Sequence, residues 1–487
     1  MTSSNSAPSA PGGHYDIAII GSGSANSFPG AEFADCRIVQ IDRGVGPGEV
    51  FGGTCLNVGC IPTKMLVHTA DRAHTPATSG RFGLIQTLEA VRWPEIRDRI
   101  FGRIDPIAAA GEEYRREHED NSNLTLLRGT ARFTGPKALH VDLADGGSTQ
   151  ITAETIVIGA GSRPDLPPIE GLEEARPLTS DTVMRLDQLP ASMLVLGSGV
   201  IAVEMAHVFA SLGVEITLTA RSGALLRAAD RDVSARLTEV LSERLHVHTN
   251  LSTQRVERTA EGIVLTGERE GQQVTLHAED ILVATGRRPN TDLLDAQAAG
   301  FDLEDDGRLV VDPWQRVQHA GSPVPGVWAF GDISSAYQLK HVANHQQRIV
   351  RHNVLHPEAL RRSDTMPIPS GVFTSPQVAW VGADEETARE QARAEGREIR
   401  VVTQAYGDVA YGWALEDTTG FLKLIVEEGS TRILGAHIIG AEATILIQQL
   451  VQAMSTGQTA RDIARSQYWI HPALPELIEN ALLQVID

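Results

Sequence analysis

Two short apolar strands, each running into a Gly-x-Gly turn, constrain this chain more than any other feature. Tyr15-Asp16-Ile17-Ala18-Ile19-Ile20 enters Gly21-Ser22-Gly23-Ser24-Ala25-Asn26, and a second strand, Arg37-Ile38-Val39-Gln40-Ile41, ends at Asp42. The first two glycines permit a tight turn and let the backbone approach a pyrophosphate at a helix N-terminus, while the acid about twenty positions on suits a ribose diol. Asn26 stands where a third glycine is usual, which weakens the match. The pattern recurs at Met193-Leu194-Val195-Leu196, which enters Gly197-Ser198-Gly199-Val200-Ile201-Ala202, followed by a helix-like stretch over 203–212 and a strand over 215–219. Here Ala202 is small enough for the third position. This second unit ends not in an acid but in Ala220-Arg221, with Arg227 close behind. A guanidinium there fits a 2′-phosphate, so the second site is predicted to prefer NADPH to NADH. The alternative is that both arginines are solvated surface charges.

Two segments of one form follow the two units. Ile156-Val157-Ile158-Gly159-Ala160-Gly161-Ser162-Arg163-Pro164 and Ile281-Leu282-Val283-Ala284-Thr285-Gly286-Arg287-Arg288-Pro289 are apolar strands stopped by small residues and proline. Each is read as closing one nucleotide unit. A further strand, Val327-Trp328-Ala329-Phe330, ends in Gly331-Asp332, where a carboxylate at a strand's C-terminal end could receive cofactor hydroxyls or could be a turn residue.

Between the first unit and these segments lies Gly52-Gly53-Thr54-Cys55-Leu56-Asn57-Val58-Gly59-Cys60-Ile61-Pro62-Thr63-Lys64. Pro62 suits the first turn of a helix that the apolar positions Ile61, Met65, Leu66 and Ala70 continue. Cys60 then sits near the positive end of the helix dipole, a place that favours thiolate. Taken alone, a Cys-x4-Cys spacing fits two small buried hydrophobes as well as a redox pair.

The chain has 487 residues, of which 42% are hydrophobic, enough for three or four domains with substantial cores. Its net charge of −20, without a basic run, argues against nucleic acid as a partner. Met1 to Gly13 is rich in Ser, Pro, Ala and Gly and reads as a flexible tail rather than a signal peptide. No apolar run is long enough for a membrane, and three cysteines in a chain of this length suit a reducing compartment, so a cytoplasmic location is expected.

In combination, Gly-Gly-Thr-Cys-x4-Cys-x-Pro, the two ordered fingerprints, Gly331-Asp332 and His471-Pro472-Ala473-Leu474-Pro475-Glu476 resemble the FAD-dependent pyridine nucleotide-disulfide oxidoreductases of class I, from about Tyr15 to the C-terminus. The resemblance implies an α/β fold with two Rossmann-like dinucleotide-binding domains plus an α+β C-terminal dimerisation domain. It assigns the first fingerprint to FAD, through Gly21, Ser22, Gly23, Asn26, Asp42, Gly53, Thr54, Lys64, Ala131, Gly161, Gly331 and Asp332. It assigns the second to NADPH, through Gly197, Gly199, Ala202, Glu204, Arg221, Arg227 and Gly286. Lys64, one turn after Cys60, and Glu204, a charge among apolar neighbours, resemble the family's paired residues beside the nicotinamide. His471 resembles the general acid/base and Glu476 its orienter, supplied to the other subunit's cysteines, which implies a homodimer. Electrons are then expected to pass from NADPH through FAD to a Cys55–Cys60 disulfide, with Cys60 proximal to the flavin and Cys55 attacking the substrate. No metal is called for.

The expected limits are a tail over 1–13, an FAD-binding domain over 14–165, an NADPH-binding domain over 166–290, a central segment returning to FAD over 291–367, and a dimerisation domain over 368–487. No cysteine follows Cys60, so no later thiol pair can relay electrons outward, and a small disulfide substrate is favoured over a folded protein. Within the family, Lys340-His341-Val342-Ala343-Asn344-His345, Tyr406 to Ala414 and Gln467-Tyr468-Trp469-Ile470 most resemble the mycothione reductase branch. Glutathione reduction and a lipoamide dehydrogenase-like activity are the alternatives inside the family. A flavoprotein transhydrogenase and a non-catalytic nucleotide sensor are the alternatives outside it.

Overall fold

The computed structural model describes residues 12–486 and divides into two compact units. Residues 1–11 of the expected tail lie outside the described residues, and Gly13 already begins the first strand. Among the described residues, the first unit comprises residues 12–62, 97–165 and 287–365. The second comprises residues 63–96, 166–286 and 366–486.

A seven-stranded sheet organises the first unit. The strand Gly13–Ile20 lies parallel to both Ile38–Asp42 and Ser148–Ile158, and Ser322–Ala329 adds in parallel on the far side of Ser148–Ile158. Strands buried on both faces read as continuous apolar runs, as Ile17 to Ile20 and Ile156 to Ile158 do. The long strand Leu124–Gly135 pairs in parallel with Ile38–Asp42 and then turns antiparallel against Ala138–Leu143. The two segments read as closing separate nucleotide units also meet here: Ser162–Pro164 pairs antiparallel with Arg287–Pro289.

One local expectation differs. After the first fingerprint the chain forms only the short 3-10 turns Ser24–Ser27 and Ala31–Phe33, not a full α-helix. Pro29 has no N–H to donate to the preceding turn, and its ring crowds the carbonyl four residues back, which disfavours continuing a helix begun at Ser24.

The second unit holds a four-stranded parallel sheet in the order Asp280–Val283, Ser192–Leu196, Glu215–Thr219, His246–His248. The helix Val200–Ser211 links its two central strands, and nearly all of it is buried. A separate three-stranded antiparallel sheet covers residues 252–278. The C-terminal part is a five-stranded antiparallel sheet carrying the helices Ala443–Thr456 and Glu476–Ile486. Leu477, Ile478, Ala481, Leu482 and Val485 recur at helical spacing and are all buried, each contributing roughly 1–3 kcal/mol of transfer free energy.

Candidate functional site

In the first unit the fingerprint turn is shaped by contacts that only glycine allows. Gly21 has φ +107°, and a Cβ there would lie 2.4 Å from the Gly159 carbonyl oxygen; a Cβ on Gly53 would lie 2.4 Å from Gly23 Cα. The turn and the cysteine loop are thus packed backbone to backbone, and Gly52 N–H donates to Ser22 Oγ at 2.8 Å. Asp42, 7% exposed, ends the next strand with its carboxylate accepting from Gly44 N–H at 3.1 Å. Burial pushes its pKa up, against the hydrogen bond from Ser22 and the charge of Arg128. A ribose diol donating to it would favour the carboxylate, so the donor set fits the adenosine end of FAD. Gly331 and Asp332 form a turn at the end of Ser322–Ala329, where Ser162 Oγ donates to Asp332 Oδ2 at 2.6 Å. A Cβ at Gly161 would meet no protein atom within 4 Å, which leaves room for a ligand beside this turn. Thr54 is half-buried in the short helix Gly53–Asn57. Ala131 faces the buried core of the sheet.

Asn26 has a role that the sequence did not disclose. Its Oδ1 accepts from Arg115 Nε at 2.9 Å, and Arg115 Nη2 also donates to the Asn26 carbonyl. Arg115, 9% exposed, is held in turn by Asn121 Oδ1 at 2.7 Å. The side chain that replaces the third glycine therefore anchors the turn to the helix Trp93–Glu117.

In the second unit Gly197 has φ +137°, and a Cβ there would lie 2.3 Å from the Ala284 carbonyl oxygen. Ala202 is fully buried, whereas added Cβ atoms at Gly199 and Gly286 would meet nothing within 4 Å. The turn is therefore tight on its inner side and open on the side where a nucleotide would lie. Arg221 and Arg227 are exposed beyond the strand Glu215–Thr219.

Cys55 lies in the helix Gly53–Asn57, and Cys60 opens the helix Cys60–Ser79. No disulfide joins them, and Cys36, also outside any disulfide, packs against a buried cluster. The hydrogen bond with Cys60, followed by burial, raises the Cys55 pKa, while the charge of Lys340 opposes this.

Lys64 Nζ donates to both carboxylate oxygens of Glu204 at 2.6 Å. Glu204 also accepts the Phe373 N–H at 2.8 Å, and the Phe373 ring lies 4.5 Å from the ammonium. Near the C-terminus, His471 Nδ1 lies 2.7 Å from Glu476 Oε1 and the second carboxylate oxygen accepts Ala473 N–H at 3.1 Å. The carboxylate fixes which ring nitrogen bears the proton and leaves Nε2 free for chemistry. The hydrogen bond from His471 lowers the Glu476 pKa against the effect of burial. The residues missed by sequence reasoning are Arg115 and Phe373; a buried arginine and a backbone donor leave no pattern that spacing can show.

Two nucleotide turns at the C-terminal ends of parallel strands, with a pair of thiols at a helix entrance, define a nucleotide-dependent dithiol–disulfide oxidoreductase. Residues 15–347 match the family model described as pyridine nucleotide-disulphide oxidoreductase, and residues 368–482 match its dimerisation domain. The chain is 47% identical over 475 residues to a mycothione reductase of Mycobacterium tuberculosis, covering 96% of this chain and 99% of that one. It is 34% identical over 472 residues to a mercuric reductase of Streptomyces lividans, covering 94% and 93%. Among solved structures, the HOCl-induced flavoprotein disulfide reductase RclA from Escherichia coli superposes with a TM-score of 0.81 at 26% identity, covering 97% of this chain and all of that one. The chain belongs to the pyridine nucleotide-disulphide oxidoreductase family. It is a flavin-dependent disulfide reductase that uses FAD and a nicotinamide nucleotide. Among the described residues no helix is long and apolar enough to cross a membrane.

Proposed function

We propose that this enzyme reduces mycothione, the disulfide of mycothiol, at the expense of NADPH. The observation that carries the substrate is the 47% identity to a mycothione reductase along nearly the whole of both chains. When bound, FAD relays electrons from the nicotinamide to the sulfur pair. The chain's residues perform the rest. His471 takes the proton of Cys55, Cys55 attacks one sulfur of the substrate as the substrate S–S bond breaks, and His471 returns that proton to the departing thiolate. Cys60 then attacks Cys55 Sγ, its proton passing to the second thiolate as that group leaves, and the Cys55–Cys60 bridge closes. Two thiols form for each dithiol oxidised, so electrons balance.

Asp42 and Asp332 are assigned to the FAD ribose and ribityl hydroxyls, with the glycines at 21, 23, 53, 161 and 331, Ser22, Asn26, Thr54 and Ala131 around them. Arg221 and Arg227 are assigned to the 2′-phosphate, and the Lys64–Glu204 pair to the nicotinamide side. His471 is assigned to the cysteines of the other subunit. Its side chain is 72% exposed, and Tyr468 and Ile470 just before it are at least 74% exposed, as suits a face that a second copy covers. The division at 165, 290 and 367 and a cytoplasmic location complete the reading.

Steady-state turnover on mycothiol, glutathione and coenzyme A disulfides with NADPH and NADH tests this. Fastest turnover of mycothione with NADPH is expected; faster turnover of glutathione disulfide would overturn the substrate.

A further inference from the structure

Asp71 lies two turns beyond Lys64 on the helix Cys60–Ser79, and His207 lies one turn beyond Glu204 on Val200–Ser211. This second pair also meets: His207 Nε2 is 2.9 Å from Asp71 Oδ1. His207 is fully buried, and its other ring nitrogen, Nδ1, faces Arg244 Nη2 and Ser211 Oγ, each at 3.4 Å. A guanidinium can only donate, so Nδ1 is the acceptor and Nε2 carries the proton toward Asp71. The neighbouring His74, its ring centroid 6.1 Å away, is held neutral at neutral pH: burial first, then the charge of Arg244, lowers its pKa to about 4.

Arg244 continues the chain of contacts. Its Nη1 donates to the Ser375 carbonyl at 2.8 Å. Ser375 sits in the turn between the strands Pro369–Val372 and Gln377–Gly382, and Phe373 in that same turn donates to Glu204 and covers Lys64. The contacts therefore close a ring that leaves the helix Cys60–Ser79 at Lys64 and returns to it at Asp71. The buried residues Leu66, Val67 and Ala70 hold the helix by non-directional packing, whereas the contact at Lys64 is a directional polar tie. A second directional tie two turns away fixes the rotation more narrowly than packing alone.

We infer that His207, held by Asp71 and Arg244, is a positioning residue for the Lys64–Glu204 pair. It sets the rotation of the cysteine-bearing helix so that the Lys64 ammonium stays on Glu204. The inference rests on the proposed function only in giving that pair a place beside the nicotinamide.

Trace acetylation of the holoenzyme with acetic anhydride, read by peptide mass, tests it, because the only other lysines, Lys137, Lys340 and Lys423, serve as internal references. His207→Leu is expected to speed acetylation of Lys64 roughly three- to tenfold, the factor that a lost hydrogen bond of ordinary strength gives, while the references keep their rates. His207→Gln, which presents an N–H to Asp71, is expected to restore the slow rate. Should His207→Leu fail to fold, Asp71→Ala on the partly exposed partner gives the same reading. Unchanged Lys64 acetylation in whichever variant folds overturns the inference. NADPH-driven bleaching of the flavin in the same variant judges the other reading separately. If Lys64 is loosened and bleaching keeps its rate, the positioning stands and the place of Lys64 beside the nicotinamide falls.

Discussion

The Lys64 ammonium bridges both oxygens of Glu204 at 2.6 Å, although the two residues belong to different helices and lie far apart in the chain. Glu204 is 4% exposed and Lys64 35% exposed. Lys64→Met therefore strands a buried carboxylate that keeps only the Phe373 N–H. The expected loss is about 1–3 kcal/mol, below the value for wholly buried pairs because Lys64 reaches solvent. Urea unfolding of the holoenzyme followed by circular dichroism measures it.

Cys60→Ala is expected to abolish disulfide turnover and to move the pH profile of Cys55 alkylation to lower pH. The sign follows from the leading cause of the raised Cys55 pKa, its hydrogen bond with Cys60. Rates of iodoacetamide labelling across pH 6 to 10, taken at about unit steps, read the shift. A profile that stays in place would contradict this account of the pair.

For the nucleotide, Arg221→Ala with Arg227→Ala is expected to raise the KM for NADPH about 10- to 100-fold and leave that for NADH nearly unchanged. Charge-assisted hydrogen bonds to a phosphate are worth about 1.5–3 kcal/mol each, and partial compensation by solvent keeps the pair below the sum. Equal losses for both nucleotides would show that the arginines do not read the 2′-phosphate.

Mixed dimers test the placement of His471. Cys55→Ser and His471→Ala subunits are each expected to be inactive as homodimers, His471→Ala by roughly 10²- to 10⁴-fold. A co-expressed heterodimer should regain turnover, since one site then holds both intact residues. No regain would place His471 with the cysteines of its own chain.

Lys423 contacts Asp230 at 2.9 Å, Asp232 at 2.6 Å and Glu385 at 2.7 Å, and its side chain is 4% exposed. Lys423→Met should cost about 3–5 kcal/mol, because Asp230 is left buried without its cation. Burial acts to raise the Asp230 pKa, but the hydrogen bonds from Lys423 and two backbone N–H groups outweigh it, so the folded value lies below the ordinary one. Hydrogen bonding from Lys423 likewise lowers the Glu385 pKa. The stability from these depressed carboxylates is present above the unfolded carboxylate range and lost as pH falls through the folded values. Urea midpoints should thus fall on acidification below about pH 4 in the wild type and less steeply in Lys423→Met.

The legible parts of this protein are those written within a few residues. Gly21 and Gly197 mark turns because their backbone angles and close approaches exclude a side chain. His471 reaches Glu476 across five positions, a separation bridged by two prolines and the first turn of a helix. The turns after the first fingerprint were less legible: Pro29 disfavours an extended helix there, but the strength of the strand–glycine pattern hid it.

By itself the sequence determined both nucleotide units, the spacing of Cys55 and Cys60, and the local His471–Glu476 contact. These follow from strand periodicity, glycine geometry and short chain separations. Only the tertiary structure decided that Asn26 is anchored by Arg115 and that Asp71, His207 and Arg244 tie the cysteine-bearing helix a second time. Such contacts join residues whose separation in the chain carries no periodic signal. Their partners are chosen by how whole elements pack and by the cost of leaving a buried charge or ring nitrogen without one.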